Sequence, residues 1–181
     1  MRLTKLTTAP TLETQRLRLR ARTLEDFSFI KSMWADPDVT KFIGGEPRSE
    51  EESWTKFLRM IGHWSVMGFG YWMVEEKDSG TLLGEVGFGE FKRDMAPPIK
   101  GEPELGYAFA ATAHGKGYAS ESVGAVVAWA DEHLGAVRMS CIIDLENRAS
   151  IRIAEKCGFV ETGHAMYHGE EILLLHRDSS S

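Results

Sequence analysis

The sequence predicts a single α/β domain in which helices lie on one mixed sheet. Apolar spacing switches repeatedly between the two-residue period of strands and the 3.6-residue period of helices, giving strand, two helices, several strands, helix, strand, helix and closing strands. No internal repeat or linker interrupts this order. A chain of 181 residues is also long enough to bury a full core without metals or disulfides.

The first strand is read at 16–20, where Leu17 and Leu19 alternate with arginines. Thr23 or Asp26 caps a helix carrying Phe27, Ile30, Met33 and Trp34 at helical spacing, and Asp36 and Pro37 end it. Ser49 opens a second helix, with Glu52 three residues on as in a capping box and Trp54, Phe57, Leu58 and Ile61 as its apolar stripe. Stretches 71–76 and 81–91 read as strands joined at Asp78, Ser79 and Gly80. Glycines 84, 87 and 89 around Glu85 predict close packing. After Pro97, Pro98 and Gly101 comes a strand at 104–109, then a glycine-rich turn. A helix from Tyr118 to about Leu134 follows, with Val123, Val126, Val127 and Ala130 on one face. A strand at 137–143 precedes a short helix at 150–157, ended by Gly158. Stretches 159–167 and 171–176 turn at His168 and Gly169 into a closing hairpin, and 178–181 form a loose tail.

Composition narrows the function. A hydrophobic fraction of 43% and a charged fraction of 27% are ordinary for a globular protein. No apolar run reaches the roughly 20 residues of a membrane helix. Arg2 and Lys5 are not followed by an apolar core, so no secretory signal and a cytoplasmic address are expected. A net charge of −6 argues against phosphate-backbone binding and tolerates a cationic substrate. Cys141 and Cys157 are too few for a disulfide scaffold and have no metal-ligand spacing with the six histidines, so no metal is expected. Cys141 shares a strand face with Met139 and Ile143 and reads as a small core residue. A monomer or a homodimer is the expectation.

The segment His114, Gly115, Lys116, Gly117, Tyr118, Ala119, Ser120 lies between a strand end and a helix start. Unpaired N–H groups and the positive dipole end make phosphate binding easy there, and glycines allow close approach. It is neither a Walker loop nor a dinucleotide fingerprint. Taken alone, it is equally a glycine-rich turn without a ligand.

This segment resembles the coenzyme A pyrophosphate loop of the GCN5-related N-acetyltransferases, Gln/Arg-x-x-Gly-x-Gly/Ala, with His114 in the first place. Three further blocks share the resemblance: Glu13-Thr14-Gln15-Arg16-Leu17-Arg18-Leu19-Arg20, Glu104-Leu105-Gly106-Tyr107, and Asn147-Arg148-Ala149-Ser150-Ile151-Arg152 leading into Lys156-Cys157-Gly158-Phe159. In this order they are similar to the subgroup of ribosomal-protein N-terminal alanine and serine acetyltransferases, over about 13–177.

The resemblance implies acetyl-coenzyme A as cosubstrate and an amine as acceptor. It also implies a V-shaped splay between the strand at 104–109 and that at 137–143. Phe109, Ala110 and Ala111 would pair with the pantetheine amides, the amides of 114–119 with the phosphates, and Asn147 and Ser150 with the arm. Amine attack on a thioester needs a base, an oxyanion donor and a proton for the thiolate. Glu104 shares a strand face with Gly106 and Ala108 and is the candidate base, or else a salt-bridged strand-end carboxylate. Glu85 is the weaker candidate. Many family members carry a tyrosine where this chain has Ala154. Ser150 is left either to assist the thiolate or to act as a helix N-cap. Trp34, Phe42, Trp54, Trp64, Tyr71 and Trp72 read mainly as core walling an acceptor pocket; Tyr167 and His168 either reach it or are simply residues of the turn. A non-catalytic acyl-coenzyme A module, or a partner protein with no ligand, are the other readings.

Overall fold

The computed structural model describes residues 6–178. Arg2, Lys5 and the tail residues 179–181 lie outside the described residues. In chain order the elements are β1 (Leu12–Glu13), β2 (Leu17–Arg20), α1 (Phe27–Trp34), α2 (Pro37–Thr40) and α3 (Glu50–Met67). Then come β3 (Tyr71–Glu76), β4 (Leu82–Gly89), β5 (Glu104–Phe109) and α4 (Tyr118–His133). β6 (Arg138–Asp144), α5 (Arg148–Lys156), β7 (Val160–Tyr167) and β8 (Glu170–Asp178) complete the chain.

Among the described residues eight strands form one sheet in the order β1-β2-β3-β4-β5-β6-β8-β7. Every pairing is antiparallel except β5 with β6. Leu17 and Leu19 are fully buried while their arginine neighbours pair with Glu75, Asp26 and Glu13, as two-residue alternation requires. The larger core lies between the sheet and α4, around an edge-to-face cluster of Trp64, Trp72 and Trp129. Cys141 sits in this core between Met139 and Ile143. The opposite face is covered by α1 and α3 through Ile30, Met33, Trp34 and Phe57. No helix among the described residues is long and apolar enough to cross a membrane.

Thr23 and Asp26 form a capping box over a 3₁₀ turn before α1, and Asp26 also holds Arg20 with two 2.8 Å bonds. Pro37 ends α1 and is itself the first residue of α2, whose cap is Asp36. The Ser49–Glu52 box opens α3.

The expected stripe of α3 needs correction. Phe57 is buried, but Trp54, Leu58 and Ile61 are exposed. The sheet-facing positions are Ser53, Lys56, Phe57, Met60 and Trp64. Lys56 turns inward because a carboxylate waits there, so a charged residue occupies a core position and the apolar pattern is displaced.

Candidate active site

The slot begins where β5 and β6 part. They pair only at Glu104↔Ser140, with the Ser140 N–H donating to the Pro103 carbonyl at 3.0 Å. β6 then follows β8 along its whole length instead. From Leu105 onward β5 therefore has an edge that no strand of this sheet completes. Main-chain groups alternate between the two edges of a strand. The Ala110 N–H donates to Leu83 of the β4 side at 2.9 Å, so Tyr107 and Phe109 present theirs to the opening. Gly84 lets β4 approach this end of β5, since a Cβ there would lie 2.2 Å from the Ala108 carbonyl oxygen.

Of the three residues expected along the arm, Ala110 has its main chain engaged elsewhere and Phe109 its carbonyl. Ala110 spends its N–H on Leu83, and its carbonyl accepts from Ala113 at 2.8 Å. The Phe109 carbonyl is bonded at 2.9 Å by a ring nitrogen of His114. The His114 side chain thus fastens the loop to the strand end. On this open edge the Phe109 N–H is free of those two bonds. Ala111 leads the 3₁₀ turn Ala111–Ala113, so its N–H has no acceptor within the turn.

At the far end of the slot, Gly117 is the N-cap of α4 at φ 80°, and no side chain caps the helix. The conformation favours glycine and leaves the N–H groups of Tyr118, Ala119 and Ser120 without intrahelical acceptors. The loop is anchored from outside. Arg16 donates to Glu121 at 2.7 Å and to the Lys116 carbonyl at 2.9 Å, and lies 4.7 Å over the Tyr118 ring. Glu121 also accepts from the Thr14 hydroxyl and the Arg16 N–H. An anion approaching this end meets the positive dipole end and unpaired amides.

Asn147, not Ser150, caps α5: its side-chain oxygen accepts from the Ser150 N–H at 3.1 Å. The capping explanation for Ser150 is thereby removed, because the helix starts two residues earlier than the expected 150. The Tyr107 hydroxyl reaches the Ser150 carbonyl at 3.4 Å, and burial raises its pKa, so the phenol stays protonated beside the slot. Ala154 is fully buried on α5.

The other face of β5 carries Glu104. Its carboxylate is buried and bonded by Arg93 at 2.5 and 2.7 Å, and Arg93 also bonds the Tyr167 hydroxyl at 2.7 Å. Burial raises the Glu104 pKa despite this partner. Glu104 is thus a salt-bridged strand-end carboxylate whose proton affinity has nevertheless gone up.

Glu85 is set apart from it electrically. Burial alone would raise its carboxyl, but Lys56 and Arg22 outweigh that and hold it at about 2. Both cations bond it, and the Trp34 indole N–H donates at 3.2 Å. Burial in turn pushes the Lys56 ammonium down to about 8 against the pull of Glu85. A carboxyl that low is a poor proton acceptor near neutral pH, so Glu85 is the weaker base of the two glutamates.

Tyr71 projects over β5 between the two carboxylates. A Cβ on Gly106 would lie 2.1 Å from its hydroxyl, which explains the glycine. Burial, and then the charges of Glu104 and Glu85, raise the Tyr71 phenol well above its ordinary pKa. Trp34, Trp64, Tyr71 and Trp72 are buried, whereas Trp54 is exposed. Arg93, in the loop between β4 and β5, carried no pattern that singles it out from sequence. Tyr107 stands out in sequence only as the last residue of the Glu104-Leu105-Gly106-Tyr107 block.

Comparison with known proteins adds the family. The sequence pattern described as the acetyltransferase (GNAT) domain matches residues 16–160. A relative named N-acetyltransferase p20 from Bacillus licheniformis, itself uncharacterized, is 29% identical over 154 residues, 84% of each chain. A protein described as a GnaT-family acetyltransferase from Bordetella pertussis superposes with a TM-score of 0.83 at 28% identity, covering 93% of this chain and 99% of that one. A ribosomal L7/L12 alpha-N-protein acetyltransferase in complex with coenzyme A shares the fold, with a TM-score of 0.74 at 15% identity over 93% of this chain and 98% of the other.

Proposed function

Because the chain belongs to the acetyltransferase (GNAT) domain family, we propose that it moves the acetyl group of acetyl-coenzyme A directly onto a primary amine within a ternary complex. The observation that carries this reading is the open edge of β5. It starts one residue after Glu104 and leads to the uncapped entrance of α4. The pantetheine arm lies along that edge, meeting the Phe109 and Ala111 N–H groups, and Asn147 flanks it. The diphosphate is held by the amides from Gly115 to Ser120, since the His114 N–H already donates to the Ala111 carbonyl at 3.1 Å.

In the reaction the neutral amine attacks the thioester carbonyl carbon, and its nitrogen, made acidic by the attack, gives a proton through water to Glu104. The C–N bond forms, the tetrahedral intermediate collapses, and the C–S bond breaks. The departing thiolate takes a proton from the Tyr107 hydroxyl, which regains one from solvent as Glu104 releases its own. Tyr107 thereby fills the role for which Ala154 is unsuited. Arg93 positions Glu104, and proximity of amine and thioester supplies much of the rate.

A second reading is a non-catalytic acyl-coenzyme A module, favoured by the grip of Arg93 on Glu104 and by Ala154 in the place of a tyrosine. Release of free thiol from acetyl-coenzyme A in the presence of primary amines separates the two. Amine-dependent release supports transfer. Thermal stabilisation by coenzyme A without release supports the module.

A further inference from the structure

Arg48 has no part in the transfer just described. It stands before the Ser49 cap of α3, half-buried, with its guanidinium 4.3 Å over the Trp34 ring. Arg59, three turns along the same helix face, lies 5.4 Å over the Phe91 ring. Among the described residues neither guanidinium has a carboxylate in ion-pair reach. Together with Lys56 they line a solvent-open hollow of about 310 Å³, completed by Thr55, Glu51 and Glu52.

The two glutamates offset only part of the charge of Arg48, Lys56 and Arg59. Glu52 is turned back onto the Ser49 N–H and hydroxyl, at 2.8 Å each, and Glu51 is exposed at the rim. Glu85 carries one charge against two, Lys56 and Arg22. Burial lowers the Arg48 pKa, and Arg59 and Arg93 act in the same direction, while Glu85 and Glu52 pull it back up without restoring it. The cavity adjoins the reacting region, since Arg93 stacks on the same Phe91 ring at 5.0 Å before reaching Glu104.

We propose that this cavity binds an anionic oxygen group, carboxylate or phosphate, carried by the amine that is acetylated. The planar guanidinium fork matches both groups, and an anion satisfies two arginines that the fold leaves unpaired. A polyamine would instead bring positive charge toward Arg48, Arg59 and Lys56. The net charge of −6 is a sum over the whole chain and does not describe this pocket. The proposal rests on the transfer reading.

Four primary amines of similar size test it: ethanolamine, O-phosphoethanolamine, β-alanine and putrescine, at saturating acetyl-coenzyme A with thiol release as the readout. The expected result is a kcat/KM for O-phosphoethanolamine or β-alanine at least about tenfold above that for ethanolamine, a factor equivalent to roughly 1.4 kcal/mol. Whichever of the two leads identifies the anion. R48Q narrows the ratio of anionic to neutral amine about tenfold, and R59Q, at an exposed position, narrows it in a chain whose melting temperature is kept. Preference for putrescine or ethanolamine, or a ratio unmoved in both variants, overturns the proposal. If no amine is acetylated the transfer reading fails, and calorimetry with coenzyme A saturating then decides. Heat from O-phosphoethanolamine or β-alanine that R48Q abolishes supports the anion site, and no heat from either overturns it.

Discussion

Replacing Glu85 by glutamine leaves Arg22 and Lys56 buried against a neutral amide. Removing one partner of a buried ion pair costs about 3–5 kcal/mol. The carboxyl itself gives a similar figure: its fall from 4.5 to about 2, at about 1.36 kcal/mol per unit, gives roughly 3 kcal/mol. The folded pKa lies below the unfolded one. This contribution is therefore complete above about pH 4.5 and is lost as the pH falls toward 2. Lys56 works in another window: its ammonium, lowered to about 8, opposes folding below that pH, and the penalty lifts between about 8 and 10.5. At neutral pH gain and penalty nearly offset, so the pair fixes where α3 sits more than it adds stability. Urea unfolding of wild type and E85Q at pH 7 and pH 3 measures the effect. The expected loss in E85Q is about 3 kcal/mol at pH 7, smaller by roughly 2 kcal/mol at pH 3. A loss below about 1 kcal/mol, or one equal at the two pH values, would refute the reasoning.

Glu104→Gln is expected to lower kcat about 10²- to 10⁴-fold with coenzyme A affinity kept, and an unchanged rate removes Glu104 from the mechanism. Gly117→Val forces a β-branched residue to φ 80° and should weaken coenzyme A binding in calorimetry far more than Lys116→Ala, whose main chain is intact. Equal losses would assign the grip to the lysine. Tyr107→Phe should lower kcat at unchanged KM for the amine, and a wild-type rate excludes the phenol as proton donor. Gly106→Ala, with its Cβ 2.1 Å from the Tyr71 hydroxyl, should destabilise by about 1–3 kcal/mol. Adding Tyr71→Phe should return most of that in thermal unfolding, and no recovery would show that the hydroxyl is not the obstacle.

The legible parts of the sequence were those in which a local pattern and its environment agree. β5 occupies the expected 104–109, and α4 opens at Tyr118 with its glycine before it. Gly158 takes the expected left-handed conformation at φ 84° after α5. Patterns failed where a long-range partner decides. Lys56 reads as a solvent position until Glu85, 29 residues away, draws it inside. The cap reading of Ser150 stays open in sequence because hydroxyl and amide caps are alike there, and only the backbone shows that Asn147 holds the cap. The use of the Ala110 N–H by Leu83 follows from strand register, which no local pattern encodes. Arg93 and Arg48 lie in loops, where no period marks a side chain that reaches the site.

The central claim is that the open edge of β5 and the entrance of α4 hold the acyl carrier. A crystal structure of the protein with coenzyme A tests it directly. The diphosphate should accept hydrogen bonds from main-chain amides from Gly115 to Ser120, with the sulfur near Tyr107 and Ser150. Density for the diphosphate elsewhere, or an unfilled slot at saturating coenzyme A, would contradict the account.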